Sequence, residues 1–339
     1  MTKILALSAG DPNSISSFIS LKSWLKLKDS NITFVFVGSI NIINNVINYF
    51  NLPIQTKSIT IEELKNKTKI NKSFKNFFLV LNINDPIDFE LGKPSNKNAK
   101  YVLDSINLCV ELATKSIVDA IVTNPIDKNL VNEYLKNNNY DKLFLGHTDY
   151  LSDISNKKPT TMMMATTQSN LRVVPITTHV SLLDAIKNLN IELIINKTIE
   201  VNNFLKSRYK INNPKIVMLG LNPHCGENGL MGNEEQIIIN PAIKKLKNLE
   251  INVQGPIPAD SAFTIHNINN SDTIMGMYHD QVLTPFKTLY FDSGVNTTIG
   301  LDFIRTSPDH GVGFNIATTN KASENSLISS LKMAYQLSE

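Results

Sequence analysis

Two cysteines, Cys109 and Cys225, in 339 residues exclude a disulfide framework. No CxxC pair occurs either, so cysteine usage fits a reducing compartment. Long apolar runs are missing as well. No stretch approaches the roughly 20 uninterrupted apolar residues a bilayer span needs. The opening Ile4-Leu5-Ala6-Leu7 run is too short for a signal-peptide core, and the expectation is a soluble, cytoplasmic protein without a membrane partner. Charge of one sign is also scarce: 33 Lys+Arg against 30 Asp+Glu leave +3, with no basic tail or stripe. That sets nucleic acid aside as a partner. Arginine is rare, being confined to Arg172, Arg208 and Arg305. The common cofactor signatures are absent: there is no GxGxxG after a strand, no GxxxxGK[ST] and no HExxH. Gly311-Val312-Gly313 comes late and lacks a third glycine.

What is present is globular. The chain is 42% hydrophobic and 19% charged, and its length suggests about two domains. Short apolar runs with β-branched and aromatic residues predict buried strands at Ile4 to Leu7, Thr33 to Val37, Phe77 to Leu81, Ala120 to Val122, Lys215 to Leu219 and Thr273 to Met277. Helical patterns lie between them, at Ala99 to Lys115, Leu182 to Asn188 and Ile191 to Arg208. This alternation implies an α/β architecture with a largely parallel sheet. Asn51 to Asn76 and Asn129 to Lys142, rich in Lys and Asn, are expected to be loop or surface, and a domain boundary is placed near residue 128.

In open α/β sheets, function sits beyond the carboxyl ends of strands. Polar, turn-forming segments follow the predicted strands here: Gly10-Asp11-Pro12, Thr123-Asn124-Pro125-Ile126-Asp127-Lys128, Gly220-Leu221-Asn222-Pro223-His224-Cys225-Gly226-Glu227 and Tyr278-His279-Asp280-Gln281. Four of the 6 histidines, His147, His179, His224 and His279, stand in such turn-rich segments, and imidazole is both the commonest transition-metal ligand and the usual acid or base near neutral pH. Taken singly, each could equally be a surface or hydrogen-bonded core histidine. Arg305, in Phe303-Ile304-Arg305-Thr306-Ser307, suits bidentate recognition of phosphate or carboxylate. His266 and His310 are expected to be structural or superficial, Trp24 to sit on a helix core face and Met162-Met163-Met164 to pack as buried strand.

Together these segments resemble the 4-hydroxythreonine-4-phosphate dehydrogenase family, the PdxA-type enzymes of vitamin B6 biosynthesis. The motifs run in order almost end to end, and further include Gly146-His147-Thr148-Asp149, Thr177-Thr178-His179-Val180, Gly232-Asn233-Glu234-Glu235, Gly255-Pro256-Ile257-Pro258-Ala259-Asp260 and Val295-Asn296-Thr297-Thr298-Ile299-Gly300. The resemblance implies a two-domain α/β/α fold of the isocitrate/isopropylmalate dehydrogenase type with a cleft between domains. The first domain would comprise 1–128 and about 303–339, and the second 129–302, carrying most metal and substrate residues and the dimer contact. It implies one divalent metal ion (zinc, magnesium or cobalt) on His179, His224 and His279, shared across a homodimer. It also implies NAD or NADP as cofactor, and substrate contacts from His147, Thr148, Lys287, Asn296 and Arg305. Asp260 and Asp280 match acidic positions near the metal, Asp280 either orienting His279 or contacting the substrate amine.

The implied reaction is metal-assisted oxidation of 4-phosphooxy-L-threonine to a β-keto acid that decarboxylates to 3-amino-2-oxopropyl phosphate. Alternatives are a dehydrogenase of a four-carbon phosphorylated sugar acid (erythronate or threonate 4-phosphate), a metallo-hydrolase, and an inactive ligand-binding relative. The sequence departs from the family pattern at Asn13-Ser14-Ile15-Ser16-Ser17-Phe18, where a glycine-rich Ala-Gly-Ile-Gly-Pro-Glu is usual. It departs again at Asp127 and at Cys225.

Overall fold

The computed structural model describes residues 3–68, 70, 74–140, 143–144, 146–155 and 159–339. The chain divides into two units, one made of Met1–Lys158 with Leu301–Glu339, the other of Pro159–Gly300.

In the first unit, strands β1 (Ile4–Ser8), β2 (Thr33–Gly38), β3 (Thr56–Ile59), β4 (Phe78–Asn82) and β5 (Ala120–Val122) alternate with helices. A late strand, which we number β12 (Ile304–Pro308), returns to this unit. The order is β3-β4-β2-β1-β5-β12, and each of these neighbours pairs in parallel. Burial on both faces explains the uninterrupted apolar runs, since Ile4 to Leu7 and Ala120 to Val122 are all fully buried. Phe78 anchors one side of this core, with ring centroids 6.3 Å from Trp24, 6.0 Å from Phe34 and 5.8 Å from Phe36.

The second unit holds β6 (Thr161–Thr166), β7 (Arg172–Pro175), β8 (Ile216–Leu219), β9 (Val253–Ile257), β10 (Thr273–Gly276) and β11 (Gly294–Ile299). Their order is β11-β6-β7-β10-β8-β9. The block β7-β10-β8-β9 is parallel, while β6 runs antiparallel to both β7 and β11. Met162, Met164, Val173, Val217, Leu219, Ile274, Val282 and Phe286 pack into its core, each such side chain worth about 1.5–3 kcal/mol when fully buried.

Three sequence expectations change. The division falls after Lys158, not near residue 128. Helix Lys128–Asn137 packs Val131 with Phe144 against Ala99 and Leu103 of helix Ala99–Thr114, which ties this stretch to the first unit. For the same reason, the Asn129–Lys142 segment is largely helix rather than loop, with Asp141 and Lys142 outside the described residues. In Asn51–Asn76, β3 and helix Ile61–Lys65 form, the latter closed by a capping box in which Thr60 accepts from Glu63 N and Glu63 accepts from Thr60 N. Lys69 and Asn71 to Ser73 of that segment lie outside the described residues. Among the described residues no helix is long and apolar enough to cross a membrane.

Candidate active site

The parallel block of the second unit presents four consecutive strand ends. His179 follows β7, His279 follows β10, His224 follows β8 and Asp260 follows β9, the edge where open α/β sheets carry ligands. Buried hydrogen bonds tie these turns together. Thr177 Oγ1 donates to Met277 O at 2.8 Å, linking the His179 and His279 turns. Gln281, 9% exposed, accepts from Met277 N and donates to Gly220 O, both at 2.7 Å, linking the His279 turn to the His224 loop. Glu235, 2% exposed, accepts from Leu221 N and Asn222 N, both at 2.8 Å, and from Asn222 Nδ2 at 3.0 Å.

The loop so held is unusual. His224, Cys225, Gly226, Glu227 and Asn228 all have positive φ (51°, 55°, 74°, 41° and 60°), a left-handed turn that costs roughly 1–2 kcal/mol for each L-residue in it. Glycine is required at its centre, because a methyl on Gly226 would stand 2.7 Å from Gly232 O. Gly220 likewise gives room to the Cys225 thiol, whose Sγ would lie 2.8 Å from an added methyl. Burial, then the nearby Glu235 charge, pushes that thiol's pKa up, so Cys225 is a poor nucleophile. His179 is also left-handed, with φ 52°. Strain of this kind concentrates at functional sites.

The rings of His179 and His279 approach to 5.9 Å between centroids. His279 Nδ1 donates to Asp280 Oδ1 at 2.7 Å, which leaves Nε2 as the lone-pair nitrogen. Of the two roles expected for Asp280, this contact is the one the orienting role requires. Among the described residues no three His, Cys, Asp or Glu side chains converge closely enough to hold an ion, so His179 and His279 are brought together without His224 as a third ligand. Asp260 is exposed on the short helix Ala259–Ala262. Lys287 is half-buried in helix His279–Tyr290, and Asn296, half-buried on β11, has an Oδ1 that is buried without a hydrogen-bond partner among the described residues.

His147, Thr148 and Arg305 belong to the first unit, whereas the expected division gave His147 and Thr148 to the second. Arg305, 2% exposed on β12, donates to Thr123 Oγ1 from Nε at 3.2 Å and from Nη2 at 2.7 Å. Burial pulls its pKa down to about 9. His147 opens helix His147–Ile154. Burial first, and then the Arg305 and Lys128 charges, hold its imidazole well below the usual histidine pKa, so it is neutral.

The altered first loop is internal bracing. Asn13, 1% exposed, donates to Asp88 O at 2.9 Å and Lys93 O at 2.8 Å and accepts from Glu90 N at 2.9 Å. Ser14 and Ser16 bond one another at 2.8 Å, and Ser20 accepts from Asn124 Nδ2 at 2.9 Å. Asp11 is buried beside them, its pKa pushed up to about 6 chiefly by that burial. The departure at Asp127 is an N-cap, its Oδ1 accepting from Asn129 N at 2.8 Å and Leu130 N at 3.2 Å.

Sequence reasoning did not single out Thr177, Glu235, Gln281 or Lys128. Each stands in a motif it quoted, yet Thr177, Glu235 and Gln281 find their partners on separate segments, and Lys128 lies over Gly146.

The profile of the family described as pyridoxal phosphate biosynthetic protein PdxA matches residues 30–334. The chain is 37% identical over 333 residues, 98% of its length and 98% of the relative's, to a 4-hydroxythreonine-4-phosphate dehydrogenase of Sulfurihydrogenibium sp. (strain YO3AOP1). It is 37% identical over 349 residues, 99% of its length and 97% of the relative's, to the protein of that name from Bradyrhizobium diazoefficiens. The crystal structure of 4-hydroxythreonine-4-phosphate dehydrogenase from Klebsiella pneumoniae superposes with a TM-score of 0.86 at 30% identity, covering 99% of this chain and 100% of that one.

Proposed function

Because the chain belongs to the family of pyridoxal phosphate biosynthetic PdxA proteins, we propose that it oxidises the phosphate ester of 4-hydroxy-L-threonine in pyridoxal phosphate biosynthesis, using NAD or NADP and a divalent metal. It is an oxidoreductase, and the full-length similarities favour this substrate over a sugar-acid phosphate and over hydrolysis.

One observation carries the site: His179, His224 and His279 leave adjacent parallel strands on turns bound to one another by Thr177, Gln281 and Glu235. The donor set suits a divalent ion by its chemistry, imidazoles with Asp280 next to His279 in sequence and Asp260 after the neighbouring strand β9, and by the His179–His279 approach. The bound ion would lower the pKa of the substrate hydroxyl, whose proton is lost as the carbon bearing it gives its hydride to the nicotinamide. Asp280 holds the His279 ring in the tautomer a ligand needs. In the first unit, Arg305 supplies a desolvated charge for an anionic group, and neutral His147 can accept as well as donate a proton. Substrate contacts from Thr148, Lys287 and Asn296 belong to the same reading. So do a cytoplasmic location and a homodimer with a shared active site, the latter supported by exposed Val180, Leu182 and Leu183 next to His179.

The test follows nicotinamide reduction by metal-loaded protein with 4-phosphooxy-L-threonine or erythronate 4-phosphate, beside a His224→Ala variant. Reduction with the threonine ester that is lost in the variant is expected. Turnover of erythronate 4-phosphate alone, or reduction unaffected by the variant, overturns the assignment.

A further inference from the structure

Lys128 is placed against local electrostatics. It is the first residue of helix Lys128–Asn137, where the helix dipole disfavours a cation. The carboxylate of its neighbour Asp127 is turned to Asn129 N and Leu130 N. Lys128 is exposed and, among the described residues, forms no ion pair with a carboxylate, Asp149 included. Its side chain instead reaches over Gly146: a methyl there would stand 3.3 Å from Nζ and 3.4 Å from Cε. Gly146 is the N-cap of helix His147–Ile154 and offers no side chain to cap it. The ammonium thus stands at a second helix N-terminus, where N–H groups favour an anion. Beside it, His147 Nε2 is buried without a hydrogen-bond partner among the described residues, and Arg305 is close enough to act on the same imidazole.

We propose that Lys128 is a further substrate-positioning residue, its ammonium pairing with the substrate's phosphate ester beside His147 and Arg305; this rests on the functional reading above. A phosphate ester carries roughly 1.5 to 2 negative charges at neutral pH, which matches two cations and a helix N-terminus better than a single carboxylate does. Lysine suits the rim because it acts as a mobile point charge, while Arg305, fixed on Thr123, gives directional contacts.

The experiment is calorimetric titration of inorganic phosphate into the full chain and into its Lys128→Met and Lys128→Arg variants, over a range of salt. Lys128→Met should bind phosphate about 10- to 100-fold more weakly, with a shallower salt dependence, and Lys128→Arg within about 3-fold of the parent because the charge is kept. The KM for the phosphorylated substrate should rise in Lys128→Met by a similar factor. An unchanged phosphate affinity in Lys128→Met, an equal loss in Lys128→Arg, or no phosphate binding by the parent overturns the proposal. Calorimetry needs no turnover, so the two readings fail separately. A parent that binds phosphate through Lys128 yet reduces no nicotinamide supports the anion site while sinking the proposed function.

Discussion

Replacing Glu235 by leucine tests what holds the His224 turn. The carboxylate accepts two backbone N–H groups, from Leu221 and Asn222, and the Asn222 amide. Leaving a buried donor unsatisfied costs about 1–3 kcal/mol, so the two backbone donors alone give a loss of about 2–6 kcal/mol. Relief of the buried charge offsets part of that, and about 3 kcal/mol is the expected net. The turn itself stores roughly 1–2 kcal/mol at each of His224, Cys225, Glu227 and Asn228. Strain and restraint are therefore comparable, and once released the turn should relax rather than persist. Glu235→Gln keeps one acceptor oxygen but loses the charge that roughly doubles such bonds, for an expected cost of about 1–2 kcal/mol. Amide hydrogen exchange across residues 221–228 reads this directly. Exchange should quicken about 100-fold in the leucine variant, since 1.4 kcal/mol is a factor of ten, and about 10-fold in the glutamine variant, while β7 keeps its protection. Exchange within about 3-fold of the parent in Glu235→Leu would refute the idea that this carboxylate holds the turn.

Asp11 supplies a pH prediction. Its folded-state pKa is raised from 3.8 to about 6, so the folded chain binds the extra proton, and stability falls as pH rises through that window, by up to about 3 kcal/mol. Asp11→Asn, which retains an acceptor for Asn13 N, should remove that slope. Parallel curves of melting temperature against pH for parent and variant would count against it. Asp280→Ala frees the His279 ring and should weaken divalent-metal binding about 10- to 100-fold in competition with a chelator; unchanged affinity would deny Asp280 its orienting role.

The strands most easily read in the sequence were those buried on both faces. The expectations for β1, β2, β4, β5, β8 and β10 fall within a residue or so of the observed bounds, because a continuous apolar run reflects burial directly. Strands β3, β9, β11 and β12 carry polar or turn-forming residues and take their pairing from neighbours far away in sequence. Helix Lys128–Asn137 escaped notice because Lys and Asn dilute its apolar face, leaving only Val131 fully buried. At the site, histidine scarcity and the post-strand turns pointed to the sheet edge from which His179, His224 and His279 leave. What could not be read was the bracing: Glu235 lies 13 residues from Asn222, and Gln281 lies 61 from Gly220, and no local pattern encodes such bonds. The first loop shows the converse, for a segment that departs from its family's pattern holds itself with serine and asparagine bonds of its own.

Because the first unit is built from Met1–Lys158 and Leu301–Glu339, its assembly is divided in time. On the ribosome, the Pro159–Gly300 unit emerges as one uninterrupted piece and can fold while β5 still waits for β12. Thr123 then lacks both Arg305 and the Thr306 carbonyl that its N–H meets at 3.0 Å. Helix Asn325–Leu337, which buries Leu327, Leu331 and Ala334, arrives later than β12. The histidine-bearing turns can thus be in place before Arg305, and a nascent chain stalled short of β12 would own the one without the other.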